Sequence, residues 1–272
     1  MRRRLLGALF IAMAAIAGSM SSAAPDSPPS SARAAGIEVR SQSVQNRFPQ
    51  GLQFALFIAA GGEISDARLH YRLVPQTIEA QIKATCTPGS TSNCTANVGA
   101  TNASYLVPGA TVEYWWEVRD AAGNTLTTDH AQTQYMDNRF QWDSKTSGKI
   151  TAYFHAGSDQ SVDAILQAAN ESVTRMSQLL RTDIDFQIKV WVYETPQELA
   201  AAASPNSQAT GGTLEGQVVA ADTALVSKDQ TTLDTVRHEL THVVVERASR
   251  GFIVPVSIWV NEGLAVYSQK AF

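Results

Sequence analysis

His238-Glu239-Leu240-Thr241-His242 sets two imidazoles four residues apart around a carboxylate. On a helix those two histidines share a face, with ~5–6 Å between their Cβ atoms. Both can then bind one Zn2+ at about 2.0–2.1 Å. Glu239 is turned by ~100° from His238, so its carboxylate reaches a water held by such an ion rather than the ion itself. A catalytic zinc site takes three protein ligands and keeps one position open. The candidate third ligand is Glu262, in Trp259-Val260-Asn261-Glu262-Gly263-Leu264-Ala265, 20 positions after His242. On average residue usage, a chance His-Glu-x-x-His is expected in well under ~1% of chains of this size. The bland alternative is a charged helix face with two solvated histidines. Two motifs at a workable distance point instead to metal-assisted hydrolysis.

The elements around these residues must hold them in place. Thr231 to Arg250 reads as a helix, with Thr231 and Asp234 as its cap. Leu233, Val236, Leu240, Val243 and Val244 fall on one side, and His238 and His242 fall roughly opposite. Thr235, Glu246 and Ser249 share the polar side with the histidines. Gly251 and Pro255 end the helix and let the chain reverse. A last helix starting near Ser257 then brings Glu262 over the histidine pair.

Upstream, Ile150–Phe154 reads as a strand, followed by a helix capped by Ser158 and running to about Leu180. Val162, Ile165, Leu166, Ala169, Val173, Met176 and Leu180 make its apolar stripe. Ile188–Tyr193 is a second strand. Thr195-Pro-Gln-Glu198 is a capping box with proline at the first helical position, opening a short helix to about Ala203. Ser204–Glu215 reads as a loop, and Gly216–Ala220 and Ala224–Val226 as two short strands. Residues 137–272 thus form an α+β domain.

Residues 37–136 have a different period. Leu52, Phe54, Leu56 and Ile58 alternate with less apolar positions, as do Leu69, Tyr71 and Leu73, and Val112, Tyr114, Trp116 and Val118. Alternation with one polar face indicates half-buried antiparallel strands. About seven such strands, separated by Gly- and Pro-containing turns, predict an immunoglobulin- or fibronectin-III-like β-sandwich. Trp115 falls on its outward face. His70, His130 and His155 read as surface residues. Asp137–Gly148 reads as a polar hinge in which Phe140 and Trp142 dock onto a domain.

Arg2, Arg3 and Arg4 precede an apolar run, Leu5–Gly18, and then small residues around Ser21-x-Ala23. This is the pattern of a signal peptide spanning 1–23, cut after Ala23, and it predicts a secreted or cell-surface protein. Residues 24–36, rich in Pro, Ser and Ala, read as a flexible linker. In an oxidising compartment Cys86 and Cys94 are expected to close a disulfide across their turn-rich loop. The 272 residues are 44% hydrophobic, which rules out disorder over the whole length. A net charge of −4 argues against an extended nucleic-acid surface. No stretch after the N-terminal run approaches ~18 uncharged residues, so no membrane span is expected after signal cleavage.

His238-Glu239-x-x-His242 followed by Asn261-Glu262 resembles the gluzincin clan of zinc metallopeptidases, the clan of thermolysin and many zinc aminopeptidases. Trp259–Ala265, the signal segment and Asp137–Trp142 ahead of a strand resemble, more narrowly, the secreted peptidase MA-like proteins of bacteria, which carry a β-sandwich before the peptidase domain. The resemblance implies Zn2+ on His238, His242 and Glu262, with Glu239 as general base in peptide hydrolysis. It implies a peptide or protein substrate, paired as an added strand with Gly216–Ala220 or Ala224–Val226, and a monomer. Clan members place an acid shortly after the third ligand to orient a zinc histidine, where this chain has Val266 and Tyr267. They also continue into a helical subdomain, so a zincin domain incomplete at its C-terminus is expected. The alternative function is extracellular binding or adhesion through the sandwich, with an inactive peptidase domain.

Overall fold

The computed structural model describes residues 33–34, 36–99, 105–156, 159–203, 216–220, 222–229, 231–249 and 256–270, with backbone alone at 33–34, 159 and 216–220. The signal segment, Ser158, the 204–215 loop, Gly251 and Pro255 lie outside the described residues.

Strands β1 (Arg33–Ala34), β2 (Ile37–Asn46), β3 (Leu52–Ala60), β4 (Ile64–Val74), β5 (Ala80–Lys83), β6 (Thr85–Cys86), β7 (Thr91–Val98), β8 (Thr111–Asp120), β9 (Thr125–Thr127) and β10 (Ala131–Gln134) form two antiparallel sheets. Their orders are β1-β2-β3-β7-β6 and β10-β8-β4-β5, with β9 also on β8. The alternating residues do what period two demands. Phe54, Leu56, Ile58, Leu69, Val112, Trp116 and Val118 are fully buried between the sheets. More strands form than the alternation announces, because β6 and β9 are two- and three-residue pieces with too little sequence to show a period. Cys86 and Cys94 face each other across β6 and β7 and are disulfide-bonded.

The linker expected to run to Gly36 already pairs with the sandwich: Arg33 sits opposite Glu38 and Ala34 opposite Ile37. Trp115 lies on the outward face as expected, yet it is only 8% exposed. His70, its cross-strand partner, stacks on one side of the indole at 5.4 Å, and His130 on the other at 4.0 Å. Two imidazoles replace the solvent that periodicity alone assigns to that face.

The second part is a mixed sheet with helices. It contains β11 (Asp143–Ser147), β12 (Ile150–Phe154), β13 (Ile188–Tyr193), β14 (Gly216–Ala220) and β15 (Thr223–Ser227) in the order β11-β12-β13-β15-β14. The β12–β13 and β13–β15 pairs are parallel, whereas the outer pairs are antiparallel. The expected hinge, Asp137–Gly148, therefore ends early, since Asp143–Ser147 is strand β11. The helices are α1 (Asp159–Leu180), α2 (Pro196–Ala200), α3 (Thr232–Ser249) and α4 (Ile258–Gln269). The α1 stripe packs as its period dictates, with Val162, Ile165, Leu166, Ala169 and Met176 almost wholly buried against the sheet and α3. Thr195 caps α2 by accepting from the Glu198 amide, and Glu198 reaches back to the Glu194 amide. Among the described residues, no helix is long and apolar enough to cross a membrane.

A third apolar cluster joins the two parts. Val107 and Ala110 from the sandwich meet Trp191, Tyr193, Leu199, Ala202 and Leu225 from the α+β part, all buried. Phe140 and Trp142 dock onto this cluster, as the sequence predicts. Gly109 has φ +90°, and a Cβ there would collide with the Trp191 indole. Lys189 Nζ donates to Gly109 O and Thr111 Oγ1, each at 2.9 Å, and pairs with Asp222 at 3.2 Å. Fully buried Asp137 is satisfied by Arg139 and by the Tyr193 hydroxyl. Burial pushes that phenol far above the usual tyrosine range.

Candidate metal centre

The helix that carries both histidines starts one turn after β15. Its start is held by Asp229, whose carboxylate accepts from the Thr231 amide and hydroxyl at 2.7 Å each. Asp229 thus ties down Thr231, the residue that precedes α3. Asp234 instead pairs with Arg237 at 3.0 Å. Val236, Leu240, Val243 and Val244 are fully buried, as their stripe requires, but Leu233 is 37% exposed. Thr235, Glu239 and Thr241 are buried as well. The reason is geometric: α3 lies on β14 and β15 and is flanked by α1 and α4, so more than one stripe is covered.

His238 and His242 remain partly accessible, and their rings stand 4.9 Å apart and nearly perpendicular. α4 brings Glu262 to them. Glu262 Oε2 lies 3.3 Å from His238 Nε2, and Oε1 lies 3.7 Å from His242 Nε2. One ligand atom from each of the three residues lies within 4.8 Å of the others, so the group can hold a metal ion. Tetrahedral ligands at about 2.1 Å from a shared ion stand ~3.4 Å from one another, close to the 3.3 and 3.7 Å between the Glu262 oxygens and the two imidazole nitrogens.

The donor chemistry fits as well. His242 Nδ1 lies 2.9 Å from Asn261 Oδ1. An amide oxygen only accepts, so Nδ1 carries a proton, which in the neutral ring leaves the Nε2 lone pair for a metal. His238 Nδ1 is buried with no hydrogen-bond partner among the described residues. Burial first, and the neighbouring His242 second, hold His238 below the ordinary histidine value of 6.5, against the opposing pull of Glu262. A neutral imidazole is the form that binds a metal.

All four expected site residues therefore lie on two adjacent helices. His238, His242 and Glu262 converge, and Glu239 is buried on α3. Sequence reasoning missed Asn261, although it stands beside Glu262 in the motif; only the rotation of α4 shows that its amide orients a ligand. His155 is not the surface residue expected. It stacks on Phe140 at 4.0 Å and lies 3.1 Å from Glu198, and among the described residues it belongs to no group that could hold a metal ion.

No protein-family model matches this chain, and no curated protein does. Solved structures overlap it only loosely. A structure titled "Br derivative BhCBM56" is 12% identical, with TM-score 0.25, over 38% of this chain and 97% of that one. A cycloalternan-degrading enzyme from Trueperella pyogenes is 12% identical, with TM-score 0.25, over 39% of this chain and 16% of the enzyme. The purple acid phosphatase PPD1 from yellow lupin (Lupinus luteus) seeds is 7% identical, with TM-score 0.27, over 56% of this chain and 28% of that one. Likeness at this level carries no conclusion about this chain.

Proposed function

We propose that this protein is a secreted zinc metallopeptidase of gluzincin type, with an immunoglobulin- or fibronectin-III-like sandwich ahead of its catalytic domain. The observation that carries the reading is the meeting of the His238 and His242 Nε2 atoms with the Glu262 carboxylate. Two imidazole nitrogens and one carboxylate, with no thiolate among them, are a donor set suited to a hydrolytic zinc site.

His238, His242 and Glu262 would hold the ion. When bound, zinc supplies Lewis acidity, polarising a peptide carbonyl and making water deprotonable near neutral pH. Glu239, one residue along the helix from His238, accepts the proton of the attacking water and hands it to the leaving amine. Asn261 fixes the His242 ring so that Nε2 faces the cluster. The substrate strand has one candidate partner. β15 is covered on both sides by β13 and β14, whereas among the described residues β14 ends the order of its sheet. An extended peptide adds to β14, beside the helix that bears the histidines.

The test is cleavage of a broad peptide library by the purified chain. Hydrolysis is expected, and it is expected to disappear with a chelator, to return with Zn2+, and to fall by at least about a hundredfold in Glu239→Gln. Cleavage that persists both with chelator and in Glu239→Gln would sink the assignment.

A further inference from the structure

Glu262 is the one member of the cluster that does not sit on α3, so the site is complete only while α4 stays docked. The apolar grip of α4 is slight. Ala265 and Ser268 are its only buried residues, and Leu264 touches the helical core from the edge. Ile258, Trp259, Val266 and Tyr267 are exposed. A twelve-residue helix with so small an apolar face depends on other ties.

Those ties cluster at its C-terminal end. Arg175, on α1, donates from Nη1 to Lys270 O at 3.2 Å and from Nη2 to Tyr267 O at 3.3 Å. Its guanidinium also lies 5.2 Å from the centre of the Tyr267 ring. The last carbonyls of a helix lack partners within it and carry the negative end of its dipole, so a forked cation suits them twice over. Ser268 Oγ lies 2.9 Å from Arg237 O, with Ala265 O as a second acceptor at 2.7 Å. Ser172 of α1 and Thr241 of α3 donate to that same Arg237 carbonyl, at 3.1 and 2.8 Å. Arg237 immediately precedes His238. One carbonyl is thus the meeting point of α1, α3 and α4, one residue from the first ligand.

Ser268 lies six residues beyond Glu262, or ~9 Å along the helix axis. An α-helix is stiff over that length, so a shift where Arg175 and Ser268 grip it moves the carboxylate as well. Nearer its start, the Asn261–His242 bond ties α4 to α3 beside the carboxylate. We propose that Arg175 and Ser268 form a latch that positions Glu262 against the two imidazoles, so that metal affinity is set partly by contacts outside the site. They are positioning residues and touch no metal. The inference rests on the metal-centre reading above. Coupling of this kind is reciprocal: a bound ion tightens α4 as the latch tightens the ion.

The experiment uses the full chain with Zn2+ in competition with a chromogenic chelator, and Co2+ as a spectroscopic probe. Arg175→Met keeps the apolar stem and removes the fork; Ser268→Ala removes one hydroxyl. Zinc affinity is expected to fall about tenfold in Arg175→Met and a few-fold in Ser268→Ala. The visible Co2+ band should change as the carboxylate leaves, and Arg175→Lys, which can still reach one carbonyl, should recover part of the loss. Leu126→Ala, in the sandwich core, is the control: it lowers stability and should leave affinity unchanged. If Arg175→Met does not fold, Ser268→Ala decides. Variants that bind as tightly as the wild type, or a control that loses as much affinity as they do, overturn the latch alone. A wild-type chain without zinc affinity overturns the metal centre and the latch together.

Discussion

The molecule holds two clusters of histidines and carboxylates, and they are built to opposite ends. On the sandwich, His70 and His130 stack on the two faces of Trp115. Each imidazole meets its own carboxylate, Glu117 at 3.3 Å and Glu113 at 3.0 Å, and Arg72 lies against Glu113 at 2.5 Å. On the helices, two imidazoles point their Nε2 atoms at one carboxylate, and the ion pairs of Glu262 are with those two rings. The residue types are nearly the same. In the sandwich, an arginine neutralises the acid and an aromatic ring fills the space between the histidines. The helical cluster could hold a metal ion, which would supply the positive charge there. Cross-strand neighbours spread their side chains over a surface, whereas helical i, i+4 spacing aims two of them at one point.

The sharpest way to break this contrast is to remove one histidine from each cluster. His242→Ala should lower zinc affinity by about a thousandfold or more, read by chelator competition, while His130→Ala should leave it unchanged. Equal losses would mean that both clusters hold metal, or that neither does. Truncating the ring between the sandwich histidines reverses the pattern. Trp115→Ala should cost about 3 kcal/mol of stability by denaturant unfolding, with no effect on zinc affinity. Asn261→Ala leaves all three ligands in place and should weaken zinc about tenfold by freeing the His242 ring.

The smallest effect is in the pH dependence of the metal-free protein. His238 is held below 6.5 in the folded chain, so as pH falls through 6.5 the unfolded chain takes up the proton first and stability drops. Glu113 is held below its ordinary 4.5, first by the Arg72 hydrogen bond and then by that of His130. Its contribution is complete above 4.5 and is lost as pH falls through the lower folded value. Thermal unfolding from pH 8 to 3 should show both declines. His238→Gln should remove the first alone, and Glu113→Gln the second alone.

Much of the scaffold was legible in advance because its signals are periodic. The alternation in Leu52–Ile58 and Val112–Val118 marks strands whose inward residues are buried, and the α1 stripe marks a packed helix. Periodicity misled where tertiary neighbours changed what a face meets. Trp115 faces outward yet is covered, because its two imidazole partners come from β4 and from the turn before β10. Thr235 lies on the polar side of α3 yet is buried, because α3 is packed on more than one side. The α2 capping box was visible because its bonds span only three or four residues.

The amino-acid sequence by itself determined which side chains could hold a metal ion and the spacing of the two histidines, since residue type and helical spacing are local properties. The placement of α4 was a tertiary decision. It set which carbonyls Arg175 and Ser268 bind and which imidazole Asn261 orients. Those contacts join residues 19 to 95 positions apart. Nothing in a local period encodes them, because they exist only after separate segments have packed.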